Sequence, residues 1–471
     1  MGWGARGVLD AGDTRIGGRM SNRLFSGASP EEVAEALAPL VDFQEEGLHI
    51  ADLNRLVEEC LVPHLMRYEL PSSQGLFNST LEEGAAYGAE VALEWNQGVT
   101  SWQVSPGGAT LEELCCKALC RLFKLSPDAD ATLLHCGSYA NQQALYMALH
   151  HWAGARGFDL ASRGIAGFED PSRLAVIASA DAHLSLTHAV RFLGLGEGAL
   201  VRVEVDQNLR MDVDRLRATL SELRDVREVF CVVATAGTTS TGSVDPLAEI
   251  AEVCEEEGVW LHVDGAYGLA YALVPEKAAL FSGLERAHTV TWDPHNQMGV
   301  PISSSILFAR DGELFGSMAL AGDHWNRAEA PGPNPGLKSI TSTRPFSALP
   351  LVASIRHQGL DGLVNRLRKP LDAIRGFYEE LGGHPDVRLF HDPDTGVLCF
   401  QVIQARMSEE ELDRLQEQIC KTLQRKGKRM ISVTRVGGRA VLRAVAVSPE
   451  ANKDSLMRTL WEALQIAGSF R

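Results

Sequence analysis

No apolar run in the 471 residues approaches the roughly 18–20 residues that a bilayer-spanning helix needs. The longest candidates, such as VFCVVATA at 229–236, have the length of a buried strand. Basic residues are in deficit: 44 Lys and Arg against 61 Asp and Glu give a formal charge of −17, which argues against nucleic acid or an anionic membrane as the main partner. The nine cysteines (Cys60, Cys115, Cys116, Cys120, Cys136, Cys231, Cys254, Cys399 and Cys420) are odd in number and include no CxxC pair, so neither a redox couple nor a zinc knuckle is indicated. Cys115, Cys116 and Cys120 share one predicted helix, without further ligands at fitting spacing; reduced core thiols and no metal are expected. The first 28 residues lack an apolar signal core, and Arg6 stands where a myristoylation signal requires Ser or Thr, so a cytoplasmic, partly disordered start is expected. No internal repeat is found.

What remains is ordinary for a soluble globular protein, 45% hydrophobic and 22% charged, with enough chain for two or three packed units. SPEEVAEALAPLV opens a helix, with Ser29 as cap, Pro30 in the first turn and Glu32 closing a capping box. Further helices are predicted over 110–125 and 139–154, and the chain to about residue 75 reads as helices and connections. Short apolar runs then recur at 174–178, 200–204, 229–234, 259–263, 289–292 and 304–308, separated by helical or loop segments. This alternation predicts an α/β fold with a largely parallel sheet covered on both faces. Residues 326–339 read as a loop from their Pro and Gly content. Beyond helical segments to about 380, two strand regions (387–403 and 430–447, the latter turning at Gly437-Gly438) flank a helix, as in a small α+β unit. The expected division is an N-terminal helical segment over 1–75, a large ligand-binding domain over 76–345, and connecting helices with a small domain over 346–471.

In such sheets ligands sit at the carboxyl ends of strands. After TLLH come Cys136, Gly137 and Ser138 at a helix start, an arrangement that can hold a phosphate on backbone N–H groups, although any strand–helix turn can carry Gly and Ser. After LAVIAS comes His183, and a lone histidine is more often a satisfied core or surface residue. The 229–236 run carries Thr235 near its end and leads to a hydroxyl- and glycine-rich loop before Asp245-Pro246. After VWLHV comes Asp264, a carboxylate that needs a donor or cation if it is to stay ionised in a buried position. A phosphate cradle, a stacking histidine and a buried carboxylate at one sheet edge suit a phosphorylated pyridine.

The segments ATAGTTSTGSVDPLAEIAEVCEEEGVWLHVDGAYG and GLERAHTVTWDPHNQMGVP resemble the pyridoxal-phosphate-dependent group II amino-acid decarboxylases, the family of glutamate, aromatic amino-acid and 2,4-diaminobutyrate decarboxylases. The likeness runs in order from about residue 70 to VLRAVAVSPEANKDSLMRTLWEAL at 441–464. It implies the aspartate aminotransferase (fold type I) architecture, pyridoxal 5'-phosphate as cofactor, a small amino acid as substrate or ligand, and a homodimer. It further implies that Gly137 and Ser138 hold the phosphate, that His183 stacks on the ring with Thr235 nearby, and that Asp264 pairs with the ring nitrogen. His295 is placed near the phosphate, Ser342 and Thr343 reach the neighbouring subunit's phosphate, and Arg443 meets a substrate carboxylate. For Arg443 a half-buried strand arginine beside a local acid is the plainer alternative.

Two departures stand out. The family carries lysine where this chain has Asn296, and an amide nitrogen is not nucleophilic enough to form a Schiff base. The family's loop tyrosine, expected between about 311 and 343, has no counterpart, since no tyrosine lies between Tyr271 and Tyr378. In addition, SSQGLFN stands where the family often shows His-Pro before an aromatic pair. Three readings follow: a decarboxylase-like protein with crippled turnover or non-covalent cofactor, a non-catalytic binding or oligomer-forming subunit, and an enzyme of different chemistry in which His295, His188 or Lys338 replaces the missing base.

Overall fold

The computed structural model describes residues 23–320 and 332–469. Most of the N-terminal start lies outside these residues, as do residues 321–331 of the segment expected to carry a loop tyrosine. Twelve strands are numbered along the chain: β1 (Ser73–Gln74), β2 (Asp130–Leu134), β3 (Leu174–Ser179), β4 (Leu200–Val203), β5 (Glu228–Thr235), β6 (Trp260–Asp264), β7 (Thr289–Trp292), β8 (Ser305–Ala309), β9 (Val387–Leu389), β10 (Val397–Val402), β11 (Met430–Val436) and β12 (Arg439–Val445).

Seven of them form one sheet in the order β2-β8-β7-β6-β5-β3-β4, parallel except for β8, which runs antiparallel to both its neighbours. The strands read as continuous apolar runs because both faces are covered. On β3, Ala175 and Ile177 enter one core while Leu174, Val176 and Ala178 enter the other. On β5 the alternation slips at Phe230 and Cys231, which share a face, where the register with β3 shifts. Each predicted run of the central sheet is a strand, within a residue or so at its ends.

The second sheet, β1-β11-β12-β10-β9, is antiparallel apart from the β1–β11 pair. Gly437 and Gly438 turn β11 into β12 with φ of +54° and +79°, values that side-chain-bearing residues rarely adopt. One expectation is corrected here: residues 73–74, read as connection, are a strand, with Ser73 paired to Met430 and Gln74 to Ile431. Two residues are too short for a periodic signal, and the partner that makes them a strand lies more than 350 positions away. The helix Pro30–Leu37 carries the capping box, with Ser29 Oγ accepting from the Glu32 N–H at 3.2 Å.

Candidate active site

A cleft of about 210 Å³ opens at the carboxyl ends of β2, β3, β5, β6 and β7. Its lining includes Gly137, Ser138, His183, Thr235, Asp264 and Asn296, six residues singled out from the sequence, which the fold brings together from five strand ends. A larger surface hollow of about 1080 Å³ beside Lys117, Lys124 and Asp311 lies elsewhere, and none of these residues reaches it.

Gly137 and Ser138 begin the helix Gly137–Gly154. A Cβ on Gly137 would stand 2.8 Å from Asp293 Oδ2 and 3.1 Å from the Ala266 Cβ, so the cradle has room only for glycine. Thr235 is buried and its Oγ1 has no hydrogen-bond partner among the described residues, a polar atom left over at the cleft. His183 also lines the cleft, its Nδ1 accepting from the Ser185 N–H at 3.2 Å.

Asp264 has the donors that its position requires. Asn141 Nδ2 donates to its Oδ2 at 2.7 Å, and the Ala266 N–H donates to Oδ1 at 3.1 Å. Asn141 Oδ1 in turn lies 3.0 Å from His262 Nε2, and His262 Nδ1 lies 2.9 Å from Thr289 Oγ1. Neither Asn141 nor His262 was singled out in the sequence. The available signal was the polar residue inside VWLHV, two places before Asp264 and therefore on the same face of β6.

Asn296 ends the turn after β7 and donates from Nδ2 to the Ala266 carbonyl at 3.0 Å. Beside it, Asp293 Oδ2 accepts from the Gly137 N–H at 3.1 Å while Oδ1 is buried without a partner. Burial, with the Asp264 carboxylate adding to it, pushes the Asp293 pKa up to about 7. Asp293 also escaped the sequence reading, hidden inside the Asp-Pro-His run.

Other candidates lie away from the cleft lining. His295 bonds through Nδ1 to the Ser304 carbonyl at 2.6 Å, and burial holds its pKa below the usual histidine value. Thr343 is exposed, and the Ser342 carbonyl accepts from Thr100 Oγ1 at 2.6 Å. Among the described residues Arg443 has no acid beside it, contrary to the plainer alternative. Its guanidinium donates to the carbonyls of Thr239 and Gly75 and to Ser432 Oγ, and lies over the Phe77 ring. Phe77 and Thr239 both line the cleft, so Arg443 shapes the wall from behind. Two proposed surrogate bases are corrected. Lys338 lies in a triad with Glu113 (2.7 Å) and Asp130 (2.5 Å); burial opposes its charge, but the two carboxylates outweigh it and hold its pKa above the ordinary value. His188 is exposed on the helix Ser185–Phe192, outside the cleft lining.

The pyridoxal-dependent decarboxylase conserved domain matches residues 30–403. This chain belongs to the pyridoxal-dependent decarboxylase family. It is 28% identical over 444 residues to L-2,4-diaminobutyrate decarboxylase of Rhizobium meliloti (strain 1021), covering 93% of this chain and 86% of that relative. It is 27% identical over 396 residues to cysteine sulfinic acid decarboxylase of Rattus norvegicus, covering 82% and 77%. Among solved structures it superposes on mouse CSAD in apo form with a TM-score of 0.86 at 25% identity, over 95% of this chain and 94% of that one. The rice (Oryza sativa) TDC with PLP and tryptamine superposes with a TM-score of 0.87 at 22% identity, over 95% and 93%, a likeness of fold. The fold is therefore that of the pyridoxal-phosphate decarboxylases, as the sequence implied, and the cofactor of this family is pyridoxal 5'-phosphate. The decarboxylase cleft described here fits that group in its glycine-only cradle, its leftover Thr235 hydroxyl and its paired Asp264. The side chain at 296 is an amide, whose nitrogen is not nucleophilic enough to form a Schiff base. Among the described residues, no helix is long and apolar enough to cross a membrane.

Proposed function

We propose that this chain is an amino-acid decarboxylase relative that binds pyridoxal phosphate reversibly, without a covalent bond, and therefore turns over poorly. The observation that carries the reading is Asn296, whose amide is spent on the Ala266 carbonyl at the wall of a cleft that otherwise suits the cofactor. When bound, pyridoxal phosphate supplies an electron sink for the pair left on carbon as carbon dioxide departs. Gly137 and Ser138 would hold its phosphate, His183 and Thr235 would flank its ring, and Asp264 would keep the ring nitrogen protonated. Asn296 can orient a ligand by hydrogen bonding, but it can neither exchange an imine nor carry a proton to the reacting carbon.

A second reading, a subunit that binds or assembles without turnover, is favoured by the lack of any tyrosine between Tyr271 and Tyr378. Both readings include a homodimer. The helices Pro30–Leu37 and Ile50–Cys60 have no buried residue, and Phe43 and Ile50 are 89% and 71% exposed, an apolar surface that a second copy would cover. Sedimentation at micromolar concentration should show a dimer; a stable monomer would count against that assembly. The functional test is a fluorescence titration of the purified chain with pyridoxal phosphate, followed by dialysis. Saturable binding that dialysis removes is expected. No binding at micromolar cofactor would remove the proposal.

A further inference from the structure

The hydrogen-bond chain behind Asp264 has a direction, set by which of its groups carry the protons. It runs Trp260 Nε1 to Thr289 Oγ1 (3.2 Å), Thr289 Oγ1 to His262 Nδ1 (2.9 Å), His262 Nε2 to Asn141 Oδ1 (3.0 Å) and Asn141 Nδ2 to Asp264 Oδ2 (2.7 Å). All five residues are buried, and the β6–β7 register sets Thr289 beside His262. An indole N–H can only donate, so Thr289 Oγ1 accepts at that end and its own hydrogen is free for His262 Nδ1. An imidazole that accepts at Nδ1 donates from Nε2, here to the Asn141 carbonyl oxygen, which turns the amide NH₂ toward Asp264. Every link then donates toward a carboxylate that can only accept, which is the ionised form.

One reversed arrangement also pairs the groups from His262 to Asp264. If His262 Nδ1–H donates instead, to the Thr289 carbonyl 3.2 Å away or to the second lone pair of Thr289 Oγ1, Nε2 must accept. Asn141 then flips its amide, and Asp264 has to carry a proton to meet the amide oxygen. The direction of the chain and the protonation of Asp264 are thus one variable, and the Thr289 hydroxyl biases it.

We propose that His262 and Thr289 are positioning residues which, through Asn141, hold Asp264 as an ionised acceptor facing the cleft, so that a bound pyridine ring keeps the proton on its own nitrogen. This rests on the reading that the cleft binds pyridoxal phosphate, and it adds residues that do not touch the ligand. The neutral imidazole that the chain requires is favoured by burial, which lowers the His262 pKa to about 4 against the opposing pull of Asp264. In this orientation Asn141 Nδ2 also donates to Ser185 Oγ at 2.9 Å.

The test uses the full chain and two nitrogen-15 NMR readouts. In the protein without added ligand, the His262 ring should be the neutral Nε2–H tautomer. Thr289→Val removes the hydroxyl but keeps the carbonyl, and should convert it to Nδ1–H; Thr289→Ser should restore the original tautomer. With ring-labelled pyridoxal phosphate added near pH 7.5, the wild type and Thr289→Ser should show a protonated ring nitrogen. Thr289→Val should lower the protonated-to-unprotonated ratio by about tenfold or more, the equivalent of one pKa unit. An unchanged His262 tautomer in Thr289→Val, or an unchanged ring-nitrogen signal on bound cofactor, would overturn the inference. If the wild type binds no cofactor, the proposed function fails, while the tautomer measurement still decides the state of the chain behind Asp264.

Discussion

Every side-chain polar atom of Asp264, Asn141, His262 and Thr289 has a hydrogen-bond partner, whereas on the wall of the cleft that follows β7, Asp293 Oδ1 is buried without one among the described residues. The two walls are neighbours in the fold, since Thr289 lies on β7 and Asp293 directly follows that strand. A buried polar atom left unpaired costs about 1–3 kcal/mol. The paired wall is therefore arranged in advance to hold a ring, while the wall that carries Asp293 and Asn296 is left with a polar atom that a ligand could satisfy. The contrast supports the proposal that a cofactor is held here without a covalent bond.

Breaking the paired wall should give the largest effect. Asp264→Ala removes the charged acceptor and strands the Asn141 amide, and should weaken pyridoxal phosphate binding by roughly a hundredfold in a fluorescence titration. Lys338→Met tests a lysine outside both walls. It leaves Asp130 without its cation and Glu113 with Lys117 alone, at 3.2 Å, and should lower folding stability by about 2 kcal/mol in urea melts, with cofactor affinity unchanged. An equal loss of affinity would return Lys338 to the site.

Asp293→Asn sharpens the contrast from the open wall. The folded chain keeps the Asp293 proton to about 7, while in the unfolded chain the group has its ordinary pKa of 3.8. Folded protein thus holds a proton that unfolded protein has lost between those values, and this group's effect is to lower stability as pH rises from about 4 to 7, with little change above. The asparagine variant should lose that part of the slope. It should also bind pyridoxal phosphate about tenfold more tightly at pH 8, where the wild type sets a carboxylate against the phosphate cradle. The smallest effect is expected for Thr235→Val: without ligand, replacing the unpaired hydroxyl by a methyl should raise stability by about 1 kcal/mol or less, while cofactor affinity falls a few-fold.

What the sequence made legible followed from strands that end at ligand. Gly137, His183, Thr235 and Asp264 each stand at or just past the carboxyl end of an apolar run, and in a parallel sheet those ends converge, so position along the chain stood for position in space. Asn296 was legible because its flanks read as a lysine segment. Asn141, His262 and Asp293 were not, because their roles come from contacts between elements: Asn141 lies one turn inside a helix, and His262 lies within a strand that otherwise reads as core. Arg443 shows the converse limit. The chain offered a strand arginine suited to a carboxylate, but only the packing of β1, β11 and the 237–243 loop places two main-chain carbonyls and a serine hydroxyl on its donors.

The central claim is that this cleft holds its cofactor without a bond to the chain. Borohydride reduction of the pyridoxal-phosphate-loaded protein, followed by peptide mapping beside an Asn296→Lys variant, tests it most directly. The account predicts no pyridoxyl group on the wild-type peptide around 288–305 or on Lys338, and one at position 296 of the variant. A reduced adduct at either place in the wild type would contradict it.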